Sequence, residues 1–255
     1  MSFTVTTCPL VEARAPRADL YDFTVCCPEI ARIATPGQFI MVRCGELTLR
    51  RPISICDAEG DLLRFVFEVR GAGTAWLAER KVGDILDILG PQGNGFTFDD
   101  TSQPAVFVGG GIGIFPLLHA CKPFGTQATV LLGFRSADLV SMLEDFQAAG
   151  ADVRLATDNG TAGHHGLVTD LLRARCDEGP VSAIFACGPK PMLRATAAIA
   201  EEWEIPCQLS LEQRMACGIG ACLGCAQKIR HPDGTETYAH VCSDGPVFDA
   251  RVVVW

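Results

Sequence analysis

No excess of basic residues marks this chain: Lys and Arg number 21 against 30 Asp and Glu, for a formal net charge of -9. Non-specific nucleic-acid binding needs a positive surface that displaces counterions, so the balance argues against that class of function. An export signal is not expected either, because Met1-Ser2-Phe3-Thr4-Val5-Thr6-Thr7 has neither a basic start nor an apolar run. A clean hydrophobic span is also lacking. The nearest approach is the uncharged stretch Pro104 to Cys121, which carries Gly109, Gly110, Gly111 and Gly113 in its middle and Pro116 soon after. A strand, a glycine loop and a helix start account for it better than a membrane helix. The expectation is a cytoplasmic protein that engages neither nucleic acid nor membrane. With no internal repeat, charge block or low-complexity tract, and 48% hydrophobic against 20% charged residues, the chain reads as globular.

Cysteine is the residue present in excess, with 13 in 255 positions. Nine of them (Cys8, Cys26, Cys27, Cys44, Cys56, Cys121, Cys176, Cys187 and Cys207) follow no repeated spacing and read as small, buried, reduced thiols. The other four are ordered. Cys217-Gly218-Ile219-Gly220-Ala221-Cys222-Leu223-Gly224-Cys225 and the distant Cys242 give C-x4-C-x2-C…C, the spacing of plant-type [2Fe–2S] proteins. Two irons need four thiolates in one small volume, so three must come from a tight loop. Gly218, Gly220 and Gly224 supply backbone freedom and let N–H groups approach the sulfurs. The fourth ligand returns on an expected hairpin, Ala226–Arg230 and Glu236–His240 around the turn His231-Pro232-Asp233-Gly234. Structural zinc prefers two paired cysteine motifs, and a Rieske centre needs two histidines; neither pattern fits as well, and His240 reads as a hairpin residue.

The rhythm of the chain changes near Asp99-Asp100-Thr101-Ser102. Before it, short strands (39–43, 62–69, 85–89) separated by Gly, Pro and Asp predict an antiparallel barrel or sandwich, with one helix over 74–80. After it, strands at 105–108, 128–132, 152–156 and 181–186 alternate with helices at 114–121, 139–149, 167–175 and 192–202, which predicts a parallel sheet covered on both faces. The expected fold class is therefore α+β and multidomain: a barrel domain over 1–100, an α/β domain over 101–208 and a cysteine-rich module over 209–255.

Gly109-Gly110-Gly111-Ile112-Gly113 joins a strand to an apolar helix, where backbone N–H groups can meet phosphate oxygens. Phe115-Pro116 stands where the Rossmann fingerprint would place its third glycine, so that motif is absent, and a tight structural turn is the rival reading. Cys187-Gly188-Pro189-Lys190-Pro191-Met192 ends a later strand and is placed to face the same site, although a packing role for the Cys187 thiol is the simpler one. Phe134-Arg135-Ser136, after another strand, is placed to meet an adenosine ribose or to face solvent. Asp158, His164 and His165 read as loop residues.

Taken in order, these features resemble the ferredoxin–NADP reductase superfamily. Arg51-Pro52-Ile53-Ser54 looks like its flavin motif, in which an Arg contacts flavin or phosphate and a Ser approaches the reactive flavin nitrogen. Gly71-Ala72-Gly73-Thr74 looks like its pyrophosphate clamp, and Val66-Phe67-Glu68 falls where related chains place further flavin contacts, Glu68 standing where a basic residue is common. Within the superfamily, the chain is most similar to the electron-transfer subunits of class 1B dihydroorotate dehydrogenase, through Arg51–Ser54, Gly109–Pro116, Thr157–Gly160, Gly166–Asp170, Cys187–Met192 and Glu212–Cys225.

That resemblance implies FAD on the barrel and NAD(H) as co-substrate between Gly109–Gly113 and Cys187–Met192. It makes Cys217, Cys222, Cys225 and Cys242 ligands of a [2Fe–2S] cluster. Ser54 and Cys187 become neighbours of flavin and nicotinamide, the cofactors carry the chemistry, and no general base is expected. The implied function is electron transfer between NAD(H) and an FMN-containing dihydroorotate dehydrogenase catalytic subunit in a heterotetramer, serving pyrimidine biosynthesis. The rival is a subunit of a sulfide dehydrogenase or of an NAD(P)H–ferredoxin oxidoreductase complex. Some chains of that group replace a cluster cysteine with aspartate, whereas all four cysteines stand here.

Overall fold

A computed structural model describes residues 4–255; Met1, Ser2 and Phe3, the first of the residues read for an export signal, lie outside the described residues. Strands β1 (Thr4–Arg17), β2 (Leu20–Cys26), β3 (Phe39–Val42), β4 (Arg51–Glu59), β5 (Leu62–Glu68) and β6 (Ile85–Gln92) close a barrel in the order β1-β2-β5-β4-β3-β6. Alternation explains its filling. Leu63, Phe65 and Phe67 on β5 point inward with Phe23 of β2, whose ring meets Phe67 edge-on at 5.2 Å. Sequence patterning missed β1, because over Thr4–Arg17 only Cys8 and Leu10 are buried and the remaining residues are charged, polar or exposed. Two short helices accompany the barrel, α1 (Pro28–Ala31) and α2 (Ala72–Ala78). The latter begins earlier than the expected 74, because the Thr74 hydroxyl oxygen accepts the N–H of Arg70 at 2.8 Å and fixes the first turn.

The second half is a parallel sheet with an antiparallel edge. Its elements are β7 (Ala105–Gly110), α3 (Phe115–Cys121), β8 (Ala128–Phe134), α4 (Leu143–Ala148), β9 (Asp152–Thr157), β10 (His164–His165), α5 (Val168–Glu178), β11 (Ala183–Cys187), α6 (Lys190–Glu202) and β12 (Cys207–Ser210). The stretch from Pro104 to Cys121 is thus strand, glycine turn and helix; among the described residues no helix is long and apolar enough to cross a membrane.

One expected element is corrected. Residues 139–149 do not form a continuous helix: a 3-10 turn at Ala137–Leu139 gives way to extended Val140, and Met142 sits at φ 61 before α4 begins. The interruption has a tertiary cause. It lets the Leu139 carbonyl accept the Arg17 guanidinium of the barrel at 3.3 Å.

The cysteine-rich segment adds the predicted hairpin, β13 (Ala226–Arg230) and β14 (Glu236–His240), and then β15 (Val247–Asp249). The last pairs antiparallel with β12, so the seven-stranded sheet runs β10-β9-β8-β7-β11-β12-β15. A bridge between Ile229 and Val253 ties the chain's end back to the hairpin.

Barrel and sheet are clamped together by charge. Arg64 on β5 donates to both carboxylate oxygens of Asp22, at 2.9 and 2.7 Å, and to Asp145 of α4 at 2.5 Å. Asp22 is only 4% exposed, so removing its partner strands a buried charge. Replacing Arg64 with Ala is expected to cost roughly 3 kcal/mol of stability, read as a lower urea midpoint. Asp145→Asn, at the more open end of the clamp, is expected to cost less than about 1 kcal/mol.

Candidate functional site

On the barrel, the sequence motif and the helix after it meet. A Cβ on Gly73 would lie 2.2 Å from Arg51 Nε, so in this arrangement the guanidinium crosses the start of α2 over a residue that has no side chain. Arg51 also donates to the Leu49 carbonyl at 2.5 Å, which holds its side chain along the strand. Ser54 is half-buried and stands opposite Phe39 of β3, Pro52 is exposed, and Ile53 turns into the barrel. Val66 and Phe67 are buried at 5% and 4%; Val66 packs toward the sheet and Phe67 stacks on Tyr21 at 5.6 Å. Glu68 does not stand alone. Arg17 and Arg70 each pair with it at 2.7 Å, so the cations in this corner come from positions that the sequence did not single out.

The glycine loop and the Cys187–Pro189 loop come together. A Cβ on Gly113 would fall 2.5 Å from the Cys187 carbonyl oxygen and 2.6 Å from Gly188, so the loops touch backbone to backbone. Gly109 is packed on Ile114, whereas Gly111, at φ +56, has open space before it. Gly110, Gly111, Gly113, Gly188 and Pro189 line a cavity of ≈ 780 Å³ across the carboxyl ends of the strands, where ligands of open α/β sheets bind. Arg17, Glu68 and Arg70 form its barrel side, and Arg135 and Asp158 also line it. His164 and His165 stay exposed on β10. Cys187 is 3% exposed, and burial pushes its thiol up to about 12, the chemistry of a packing residue.

Glu212 is the residue in this cavity that sequence reasoning undervalued. It follows the end of β12, where no periodicity marks it, and it entered only as part of a longer matching segment. Water in the open cavity reaches it, yet protein crowds its other sides. That burial raises its pKa, while Arg70 opposes the rise.

The ordered cysteines associate in pairs. The Cys222 side chain lies within hydrogen-bonding reach of Cys217, and that of Cys225 within reach of Cys242. Burial works against a Cys217 thiolate, but N–H groups of Ile219 at 3.5 Å and Cys222 at 3.4 Å bring its pKa down to about 6. The N–H of Gly220 approaches the Cys242 sulfur at 3.2 Å. Among the described residues no three His, Cys, Asp or Glu side chains gather as a single ion requires. Two pairs with amide donors do fit a two-iron cluster, which takes two thiolates at each iron. His240 bonds through its backbone N–H to Asp244 at 2.7 Å, in keeping with its expected place in the hairpin. The loop also reaches the barrel: a Cβ on Gly218 would lie 2.7 Å from Met41 Cε, and Met41 pairs with Pro52 of the Arg51–Ser54 segment.

Barrel, nucleotide-type sheet and cysteine loop together define the class: a ferredoxin-reductase-like flavoprotein with an iron–sulfur module. Solved structures agree. A chain of an NADH-dependent reduced ferredoxin-NADP oxidoreductase, from work on flavin-based electron bifurcation, matches at TM-score 0.84 and 31% identity, over 97% of this chain and 90% of that one. The ferredoxin reductase of carbazole 1,9a-dioxygenase shares the fold at TM-score 0.67 and 23% identity, over 81% of this chain and 68% of that one. A family model for the iron-sulfur cluster binding domain of dihydroorotate dehydrogenase B matches residues 212–254. The electron transfer subunit of dihydroorotate dehydrogenase B (NAD(+)) from Caldanaerobacter subterraneus subsp. tengcongensis is 44% identical over 86% of this chain and 87% of its own length. That of Bacillus caldolyticus is 42% identical over 92% of each. The chain belongs to the family of dihydroorotate dehydrogenase B electron transfer subunits.

Cys222→Ser is expected to abolish the cluster's visible absorbance in anaerobically purified protein, leaving the flavin bands; an unchanged spectrum would reject Cys222 as a ligand. Gly113→Ala should part the two loops, and a loss of at least about tenfold in nicotinamide nucleotide affinity is expected by calorimetry.

Proposed function

We propose that this chain carries electrons between NAD(H) and the catalytic subunit of a dihydroorotate dehydrogenase, through FAD and a [2Fe–2S] cluster, in pyrimidine biosynthesis. The observation that carries the reading is contiguity. Strand β4 with its Arg51–Ser54 motif adjoins β3, β3 meets the cysteine loop at Gly218, and the barrel's Glu68 and Arg70 wall the same cavity as the glycine loop.

When bound, FAD supplies the exchange between two-electron hydride chemistry and single-electron transfer, and the cluster carries one electron at a time. The chain's own residues do the positioning. Arg51, over Gly73, is placed to hold FAD phosphates, with Thr74 ordering the first turn of α2 beside it. Ser54 presents a hydroxyl on the flavin strand. Gly110, Gly111 and Gly113 offer backbone N–H groups to the nucleotide's phosphates, and Gly188 with Pro189 closes the opposite wall. Cys217 and Cys222 form one thiolate pair and Cys225 and Cys242 the other, with backbone amides to bear part of their charge.

Residues 1–100 serve as the FAD domain, 101–208 as the NAD domain and 209–255 as the cluster module. The catalytic partner contains FMN, the assembly is a heterotetramer of two chains of each kind, and the complex is cytoplasmic. An NAD(P)H–ferredoxin oxidoreductase subunit is the second reading, kept by the 31% identity to such a chain. It is less favoured than the 44% and 42% identities to dihydroorotate dehydrogenase relatives.

NADH added anaerobically to the holoprotein is expected to bleach the flavin's visible band, and a flavin inert to both NADH and NADPH would end the reading. Ser54→Ala should keep FAD bound while slowing stopped-flow flavin reduction by about tenfold or more. An FMN-bearing dihydroorotate dehydrogenase should co-purify from the native cell.

A further inference from the structure

The barrel encloses two cysteines that face each other across neighbouring strands. Antiparallel pairing of β1 with β2 sets Leu10 opposite Val25, so two residues further along each strand Cys8 stands opposite Cys27, the residue that joins β2 to α1. Alternation turns these four side chains to one face. All four belong to the barrel core, and Cys8 and Cys27 are both 0% exposed. Cys26, on the opposite face by the same alternation, is half-buried.

The backbone leaves the space between the two cysteines free. The Leu10 N–H donates to the Asp84 carbonyl and the Leu10 carbonyl accepts from the Gly83 N–H, each at 2.8 Å and on the β6 side. The Cys27 N–H donates to the Asp61 carbonyl at 2.7 Å, on the β5 side. Cys8 and Cys27 thus occupy a non-hydrogen-bonded site of the ladder, where opposed Cα atoms lie about 4.5 Å apart and side chains are closest. A disulfide spans Cα separations of roughly 4.4 to 6.8 Å, so strand geometry already meets its requirement.

The thiols are matched as well. Their side chains lie within hydrogen-bonding reach of each other, and that contact, with the Ile30 N–H, holds the Cys27 thiol below its ordinary range against the opposing effect of burial. The same contact and burial push Cys8 up. Cys27 is the nucleophile of the pair, and Cys8 the thiol that keeps its proton. At Cys44, Cys56, Cys121, Cys176 and Cys207 burial pushes the thiol up with no second sulfur beside it.

We propose that Cys8 and Cys27 form a reversible disulfide site, oxidised by hydrogen peroxide, that staples β1 to the start of α1. The Cys27 sulfur attacks one peroxide oxygen, the O–O bond breaks and water leaves, giving a sulfenic acid. The Cys8 sulfur then attacks the Cys27 sulfur; the S–S bond forms, the S–O bond breaks, and a second water leaves with the Cys8 proton. Two thiols and one peroxide become one disulfide and two waters, with two electrons passing from sulfur to oxygen. Burial bars bulky oxidants, which leaves a small peroxide as the class that fits. Strand β1 gains most from the link, because Cys8 and Leu10 are its only buried residues.

The test exposes folded holoprotein, FAD and cluster loaded, to hydrogen peroxide, followed by alkylation in denaturant, tryptic digestion and mass spectrometry. The expected product joins the peptides that carry Cys8 and Cys27, with Cys26 alkylated; two alkylation sites are lost and both return after dithiothreitol. Cys26→Ser should keep the link and Cys8→Ser abolish it; should Cys8→Ser fail to fold, the wild-type digest alone decides. Linked wild-type protein should unfold at a higher urea concentration by circular dichroism, because the cross-link restricts the unfolded chain. No link, a link from Cys8 to Cys26 instead, a link that forms only after the fold is lost, or linked protein with an unchanged urea midpoint overturns the proposal.

Discussion

The contact between Gly218 and Met41 is where the cysteine loop comes down on the barrel. Met41 is fully buried on β3, and the cysteine loop comes down onto its thioether with a residue that has no side chain, at φ +71. A side chain there would lift the loop from the barrel and carry Cys217 and Cys222 with it. A glycine here allows van der Waals contact between loop and strand. The same logic operates at Gly113, where the absence of a Cβ lets two loops form one continuous wall.

Charge in the cavity is arranged with similar economy. Glu68 puts a carboxylate into the barrel wall of the cavity. The fold compensates from elsewhere in sequence, with Arg17 at the end of β1 and Arg70 just before α2, both paired with Glu68. The pairing fixes two flexible guanidinium groups at the cavity's edge. It also keeps Arg70 from neutralising Glu212 directly.

Much of this was legible in the sequence, for reasons that particular residues make plain. The parallel sheet announced itself because Val106–Val108, Leu131, Leu132 and Ile184–Ala186 are buried on both faces and read as apolar runs. The four ordered cysteines stood out because chelation demands a fixed spacing, and the fold brings them together in two pairs. What stayed hidden depended on contacts distant along the chain. β1 has too few inward residues to show a pattern, the break in the 139–149 stretch goes with a Leu139 carbonyl turned to Arg17, and Glu212 acquires its setting only when β12 brings it near Cys187. β15 was equally silent, three residues whose strand character comes entirely from pairing with β12.

That small strand has a further consequence for assembly. At one side the large sheet stops at β15, which runs against the direction of its neighbours and is itself only three residues long; at the other it stops at the two-residue β10. Among the described residues, then, the sheet offers no long unpaired rim onto which another polypeptide could extend it. On this sheet a companion subunit would meet side chains on a shaped surface rather than add a strand.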